Sequence, residues 1–397
     1  MTESTARPKP LKGIRVIELA RVLAGPWACQ IMADMGADVI KVEHPEGDDT
    51  RHWGPPFIQD RNGENLSAAY YHAANRGKRS ITADYRTEEG RALVHRLVRT
   101  ADVVVENFKV GGLEKFGLDA KSLQADNPRL IYCSITGFGQ DGPYAHFAGY
   151  DYIIQGMSGV MSITGVPEGE PMKSGVAIAD LFTGVYAVVA IEAALIERAK
   201  TGEGRVIDMA LFDVMSGLLA NQGMNYLASG QNPRRVGNSH VNIAPYEVIG
   251  VADGHIILAV GNDGQFHRLC TILGVPAMAD DPRFSTNESR LQNHAELTAR
   301  LKAETQKWRR DDLLHACEAH AVPSGPINRI SEMFADPQII HRGLRVDSPD
   351  SAGNSIPGVR TPIMFDGIAV DSGIPSPRLG EHGAEILAEL EELERKA

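Results

Sequence analysis

The sequence predicts an α/β fold with a parallel sheet covered on both faces, followed by a smaller α+β unit. Three observations carry this expectation. Short apolar runs alternate with helical patterns through the first half of the chain, as in parallel strands joined by crossover helices. The alternation breaks at "SGQNPRRVGNSH" (229–240), where Gly, Asn and Pro interrupt regular structure. A length of 397 residues also exceeds what one compact core usually supports.

Taken in order, "GIRVIELA" (13–20) reads as the first buried strand, 26–35 as a short helix and "ADVIKVE" (37–43) as the second strand. "TEEGRALVHRLVRT" (87–100) opens on a cap-forming Thr and two acids and closes on basic residues, the polarity a helix dipole favours. "ADVVVEN" (101–107) and "RLIYCSITG" (129–137) are further buried strands. A long apolar helix over 181–200 precedes a strand in "GRVIDMA" (204–210) and a helix over 211–227. Beyond the break, "PYEVIGVADGHIILAV" (245–260) reads as two strands joined at Asp253–Gly254, followed by helices near 265–273, 288–306 and 310–320. Residues 342–380, rich in Pro, Gly and Ser, read as an extended return segment, and 381–397 as a terminal helix.

A formal charge of −11, with 51 acids against 40 bases, argues against a nucleic-acid binder, which needs clustered excess cations. Cys29, Cys133, Cys270 and Cys317 form no CxxC pair, so buried thiols in a reducing compartment are expected rather than zinc or disulfides. The amino-terminal stretch lacks a secretory apolar core. Nor does any later segment run uninterrupted through the roughly 18 apolar residues of a membrane span. The protein reads as cytoplasmic, with no membrane partner.

"GFGQDG" (137–142) matches G-x-G-x-x-G, but Pro143 and an aromatic loop follow where a dinucleotide site would open a helix, so a flexible loop near a ligand is expected. P-loop, zinc-protease and serine-hydrolase motifs do not occur. Arg21, Lys41, Arg51, Arg76, Lys78, Arg79 and Arg86 recur near predicted strand ends. They read either as solvated surface charges or as cations for a phosphate-bearing cofactor at the carboxyl edge of the sheet. Asp180, in "KSGVAIADLFTGVYAVVA" (173–190), stands before the long apolar helix. On spacing it reads as a helix N-cap; small neighbours at Gly175, Ala177 and Ala179 also admit a functional carboxylate, held ionised by the helix amino terminus.

The segments 11–57, "NRGKRSITAD" (75–84), "DVVVENFKVGGLEKFGL" (102–118), "YCSITGFGQDGPYAHFAGYD" (132–151) and "GVAIADLFTGVYA" (175–187) together resemble the family III CoA-transferases, in order over nearly the whole chain. The resemblance implies a Rossmann-like large domain joined to a small one, in a homodimer of two interlocked rings. It implies a first part of the large domain over 1–228, a linker and small domain over 229–330, and a return over 331–397. No permanently bound cofactor is implied; coenzyme A thioesters are substrates.

In that family an aspartate attacks the donor thioester, and Asp180 stands at the matching position. The family's CoA-binding positions fall on Val22, Leu23, Ala24, His44, Ala83, Arg86, Asn107, Phe108 and Lys115, with His44 replacing an arginine and Leu23 replacing a glutamine of formyl-CoA transferase. The branch with the greatest similarity uses succinyl-CoA and dicarboxylates such as glutarate, hydroxymethylglutarate, malate or itaconate. Tyr150 and Asp151 match residues that shape the acyl pocket, and Arg21, Arg51, Arg76 and His240 are candidates to hold a distal carboxylate. The loop "VGNDG" (260–264) loosely resembles the family's glycine-rich lid. The rival on the same fold, an α-methylacyl-CoA racemase, carries His in a "GHD" motif; this chain has "GYD" at 149–151, and a phenol with a pKa of about 10 is a poor base.

Overall fold

The computed structural model describes residues 7–396, which divide into two compact units. The first runs to Val160 and takes in Lys173–Ala228 and the chain from Pro337 onward; the second comprises Met161–Met172 and Ser229–Asp336. The expected partition missed the excursion at Met161–Met172. A guanidinium explains its attachment: Arg235 donates to the carbonyls of Ser162, Val166 and Gly169.

In the first unit six strands, β1 (Arg15–Glu18), β2 (Asp38–Glu43), β3 (Arg79–Thr82), β4 (Val103–Glu106), β5 (Ile131–Thr136) and β6 (Val206–Ala210), form a parallel sheet in the order β3-β2-β1-β4-β5-β6. The order reverses between β1 and β4, the place where open α/β sheets leave a crevice beyond their carboxyl ends. Successive side chains point to opposite faces, so each strand feeds two cores. Val16, Val39, Val103 and Ile131 pack towards helices α1 (Ala24–Asp34) and, later in the chain, Ile178–Thr201, whereas Ile17, Ile40, Val104 and Tyr132 pack on the other side. There they meet Val94, Leu97 and Val98 of the helix Glu88–Arg99 and Ile386 and Leu390 of the terminal helix Gly383–Lys396. Thr87 caps the first of these as expected, accepting from the Gly90 amide at 3.0 Å.

Numbering onward from α1, the helices that matter below are α2 (Ala69–Ala73), α3 (Glu88–Arg99), α4 (Asp151–Met157) and α5 (Ile178–Thr201). α5 starts three residues before the expected point, which moves Asp180 from the cap into the first turn; Ala177 is the N-cap and makes no side-chain capping bond. Against the expectation that no segment could span a membrane, α5 is long and apolar enough to cross a bilayer. Its stripe of Ala179, Thr183, Gly184, Ala187, Ile191 and Ala194 packs instead as a sheet-covering helix. The helix expected over 211–227 is two, Leu211–Gly217 and Ala220–Ser229, broken where Ala220 takes a left-handed φ of 44°. No helix follows "GFGQDG", and Gly137 is required because its backbone lies against Gly149, where a Cβ would sit 2.4 Å from the Gly149 Cα.

The second unit is built on an antiparallel three-stranded sheet with β7 (Tyr246–Val251) and β8 (Gly254–Ala259) as the expected hairpin and β9 (Ser324–Pro326) beyond β8. Phe266, Leu269, Phe284, Leu297, Leu301 and Leu313 fill its own core.

Candidate active site

Asp180 is part-buried in the first turn of α5, and among the described residues no cation pairs with it. Its helix is capped from outside. The Asp151 carboxylate accepts from the amides of Ala179 (2.8 Å) and Asp180 (3.4 Å), satisfying donors that the first turn of a helix leaves open. The other Asp151 oxygen accepts from Gln155 Nε2 (2.7 Å), and the Gln155 side-chain oxygen Oε1 in turn accepts from the Ser174 amide (2.9 Å), so α4 pins the approach to α5 at two points.

This arrangement reverses the electrostatic expectation. The helix amino terminus does not hold Asp180 ionised: burial, and secondarily the negative charge of Asp151, push its carboxyl up to about 7. The carboxyl is therefore shifted from an acidic pKa into the neutral range. In its ionised form that carboxylate is partly shielded from water and has no paired cation, two conditions that favour nucleophilicity.

Tyr70 of α2 is a site residue that the sequence did not mark. Its phenol is raised by burial and by the nearby charges of Asp180, Asp151 and Asp48, and so stays a protonated donor facing the carboxylates. Trp53 packs edge-on against it with ring centroids 5.4 Å apart. An aromatic in "AAYYHAA" carries no local signal separating a core ring from a site ring.

Around the end of β2, Arg21, His44, Asp84, Tyr85, Arg86 and Phe116 line an open cleft of about 550 Å³. His44 Nε2 lies 2.8 Å from an Arg86 guanidinium nitrogen, and Arg86 also pairs with Asp84 at 2.9 Å. Arg21 pairs with Asp49 at 3.1 Å and sits over the Phe108 ring. Two CoA-binding positions implied by the resemblance, His44 and Arg86, and Arg21, a candidate for the distal carboxylate, are therefore brought to one opening. Ala83, just past β3, and Leu23 and Ala24, at the start of α1, are buried, so only their backbone is available to a ligand. Both functions of the Asn107 amide are used on the Arg21 backbone, its oxygen taking the N–H (2.8 Å) and its nitrogen donating to the carbonyl (2.7 Å). Lys115 is exposed, its ammonium 4.8 Å from the Phe116 ring centroid.

Two of the candidate cations are committed elsewhere. Arg51 is buried, donates to both oxygens of Glu43 and stacks over Tyr71. Arg76 is buried against Asp34 and donates to the Val359 carbonyl. A guanidinium so placed ties the return segment to the sheet and has no free face for substrate. His240 belongs to the second unit, where its ring packs on Tyr246. In the loop 260–264 the Val260 amide already donates to Pro245 and the Gly261 amide to the Gln265 side chain, which leaves fewer free donors for an oxyanion than the glycine pattern suggested. Tyr150 is 68% exposed beside Asp151.

A carboxylate without a cation in the first turn of α5 and a cleft of mixed charge, with Arg21, His44 and Arg86 facing Glu46, Asp49 and Asp84, are compatible with acyl transfer on a charged carrier. Residues 11–383 match the model of CoA-transferase family III. The chain is 66% identical over 398 residues, the full length of both, to the succinate–glutarate CoA-transferase of Agrobacterium fabrum. It is 40% identical over 390 residues to human succinyl-CoA:glutarate CoA-transferase, spanning 96% of this chain and 86% of that one. A crystal structure of a CAIB/BAIF family protein from Brucella suis superposes with a TM-score of 0.88 at 61% identity, covering 97% of this chain and all of the other. With residues 11–383 matched by the family model and a full-length relative at 66% identity, the chain belongs to CoA-transferase family III.

Proposed function

We propose that the protein moves CoA from succinyl-CoA to a dicarboxylate, glutarate first among them, through an aspartyl-CoA thioester on Asp180. The observation that carries this is the lone carboxylate in the first turn of α5, without a cation and raised to about 7. The Asp180 carboxylate attacks the thioester carbonyl of succinyl-CoA and CoA leaves as thiolate, forming a mixed anhydride. The thiolate attacks the Asp180 carbonyl and succinate departs, leaving the aspartyl thioester. The acceptor carboxylate attacks that thioester and expels CoA. The thiolate then attacks the acceptor carbonyl and frees Asp180. One thioester is exchanged for another, so no external energy source is needed. A cation-free site keeps the carboxylate reactive in both directions.

With Arg51 and Arg76 paired inside the core, Arg21 is the candidate cation of this unit left to meet the distal carboxylate of the acceptor. A homodimer is part of the same reading. Phe182, Val185, Tyr186 and Val189 on α5 and Tyr152, Ile153 and Met157 on α4 are exposed apolar residues, more than isolated surface hydrophobes require. Light scattering should give twice the chain mass. A racemase is disfavoured because Tyr150 stands in the "GYD" run at the place where the racemases carry their histidine base.

The test is incubation with succinyl-CoA followed by mass spectrometry of the peptide containing Asp180, then turnover against a panel of dicarboxylates and monocarboxylates. CoA on that peptide, absent in Asp180→Ala, and faster transfer to glutarate than to acetate are expected. An Asp180→Ala protein that transfers CoA at the native rate overturns the reading.

A further inference from the structure

The loop between β1 and α1 holds an unusual backbone. Val22 has φ of 68°, a left-handed conformation that a β-branched residue rarely takes and that costs free energy wherever it persists. Two devices grip this residue and its neighbours. Asp48, buried, accepts from the Val22 amide at 3.2 Å and from the Thr50 amide and hydroxyl. Behind it Lys41, also buried, pairs with Asp48 at 3.0 Å and with Glu18 at 2.9 Å and donates to the Ala20 carbonyl, so one ammonium fixes the loop on the near side of Arg21 while its partner fixes the far side. Across the crevice Asn107 brackets Arg21 with both halves of its amide. Three side chains from two other loops and a strand thus spend their polar atoms on three consecutive backbone units.

We propose that Asp48, backed by Lys41, and Asn107 are positioning residues that hold the β1–α1 loop in its strained turn so that the backbone at Val22–Ala24 is preset for the acyl-CoA. The inference rests on the CoA-transferase reading, in which that loop meets CoA. It assigns Asn107 an indirect role: with its amide occupied by Arg21, it acts through the loop rather than on the ligand. Asp48 itself is drawn down to about 2, chiefly by Lys41 acting against burial, so it stays an acceptor across the working pH range.

Glycine adopts a left-handed turn without penalty, so Val22→Gly makes the grip dispensable. In the native background Asp48→Ala and Asn107→Ala should each raise KM for succinyl-CoA about ten-fold while kcat falls less than about three-fold, the scale of one strained residue. In the Val22→Gly background the same substitutions should raise KM less than about three-fold. Equal fold-changes in both backgrounds overturn the proposal, because direct ligand contact or a purely structural role is indifferent to Val22. If Asp48→Ala does not fold, Asn107→Ala, at a part-exposed position, carries the comparison alone. Hydrogen exchange over residues 19–27 of the ligand-free protein separates this idea from the functional reading: it should quicken in both variants whether or not the enzyme transfers CoA, and unchanged protection overturns the proposal by itself.

Discussion

Asp48 and Asp180 belong to the same unit, and their environments are opposite. Asp48 is wrapped by Lys41, Thr50 and the Val22 amide and titrates near 2; Asp180 has burial and Asp151 for neighbours and titrates near 7. Both are taken out of water. What separates them is whether the desolvation is compensated: one sheet edge surrounds one carboxylate with a cation and donors and leaves the other facing a second negative charge.

The sharpest way to break this contrast is to neutralise Asp180. Asp180→Asn should lower transfer by at least about 10³-fold, the loss expected when a covalent nucleophile is removed. It should also stabilise the fold. A carboxyl whose folded pKa is raised above the unfolded value favours the folded state at low pH, and that advantage vanishes as pH climbs to the folded value near 7. The gain of Asp180→Asn over the native protein should therefore grow between about pH 4 and 7 and level off at roughly 2 kcal/mol, allowing for partial exposure. Thermal melts at pH 5 and 8 check the sign.

Lys41→Met attacks the other side of the comparison. Removing one member of a buried, hydrogen-bonded ion cluster should destabilise the protein by about 3–5 kcal/mol, read from urea midpoints. Asp48 follows the reverse pH rule from Asp180. Its lowered pKa contributes stability above the unfolded value, lost as pH falls towards 2. Acid unfolding of the native protein should be steeper than that of Lys41→Met over the same range.

A subtler change asks whether Asp151 tunes Asp180. Asp151→Asn keeps an oxygen for the Ala179 amide but removes the second negative charge, so the acid limb of kcat/KM should move below 7 by up to about one pH unit. Asp151→Ala also deletes the cap and should cost an additional ~1 kcal/mol of stability. The Asp180 carboxyl faces Asp151 from α4 and Tyr70 from α2, so an unmoved limb in Asp151→Asn would leave burial alone as the cause of the shift.

Much of the fold was legible because it is written in periodicity. β1, β2, β4 and β5 came from apolar runs, and α3 from Thr87, its acidic first turn and its basic last one. Asp180 was visible as a charge before an apolar helix and became specific only through the ordered resemblance along the chain. Arg51 and Arg76 misled. A basic residue in a loop reads the same whether it faces solvent or a buried carboxylate, and their partners Glu43 and Asp34 sit 8 and 42 residues away.

By itself, then, the sequence determined the strand and helix alternation and the place of Asp180 at the start of an apolar helix, because hydrophobic period and helix-end chemistry are properties of neighbouring residues. Tertiary structure alone decided which charges were compensated. Asp151 reached the helix of Asp180 from 29 residues upstream, and Lys41 met Asp48 rather than solvent, because the ionisation of a buried group depends on what packing brings within a few ångströms.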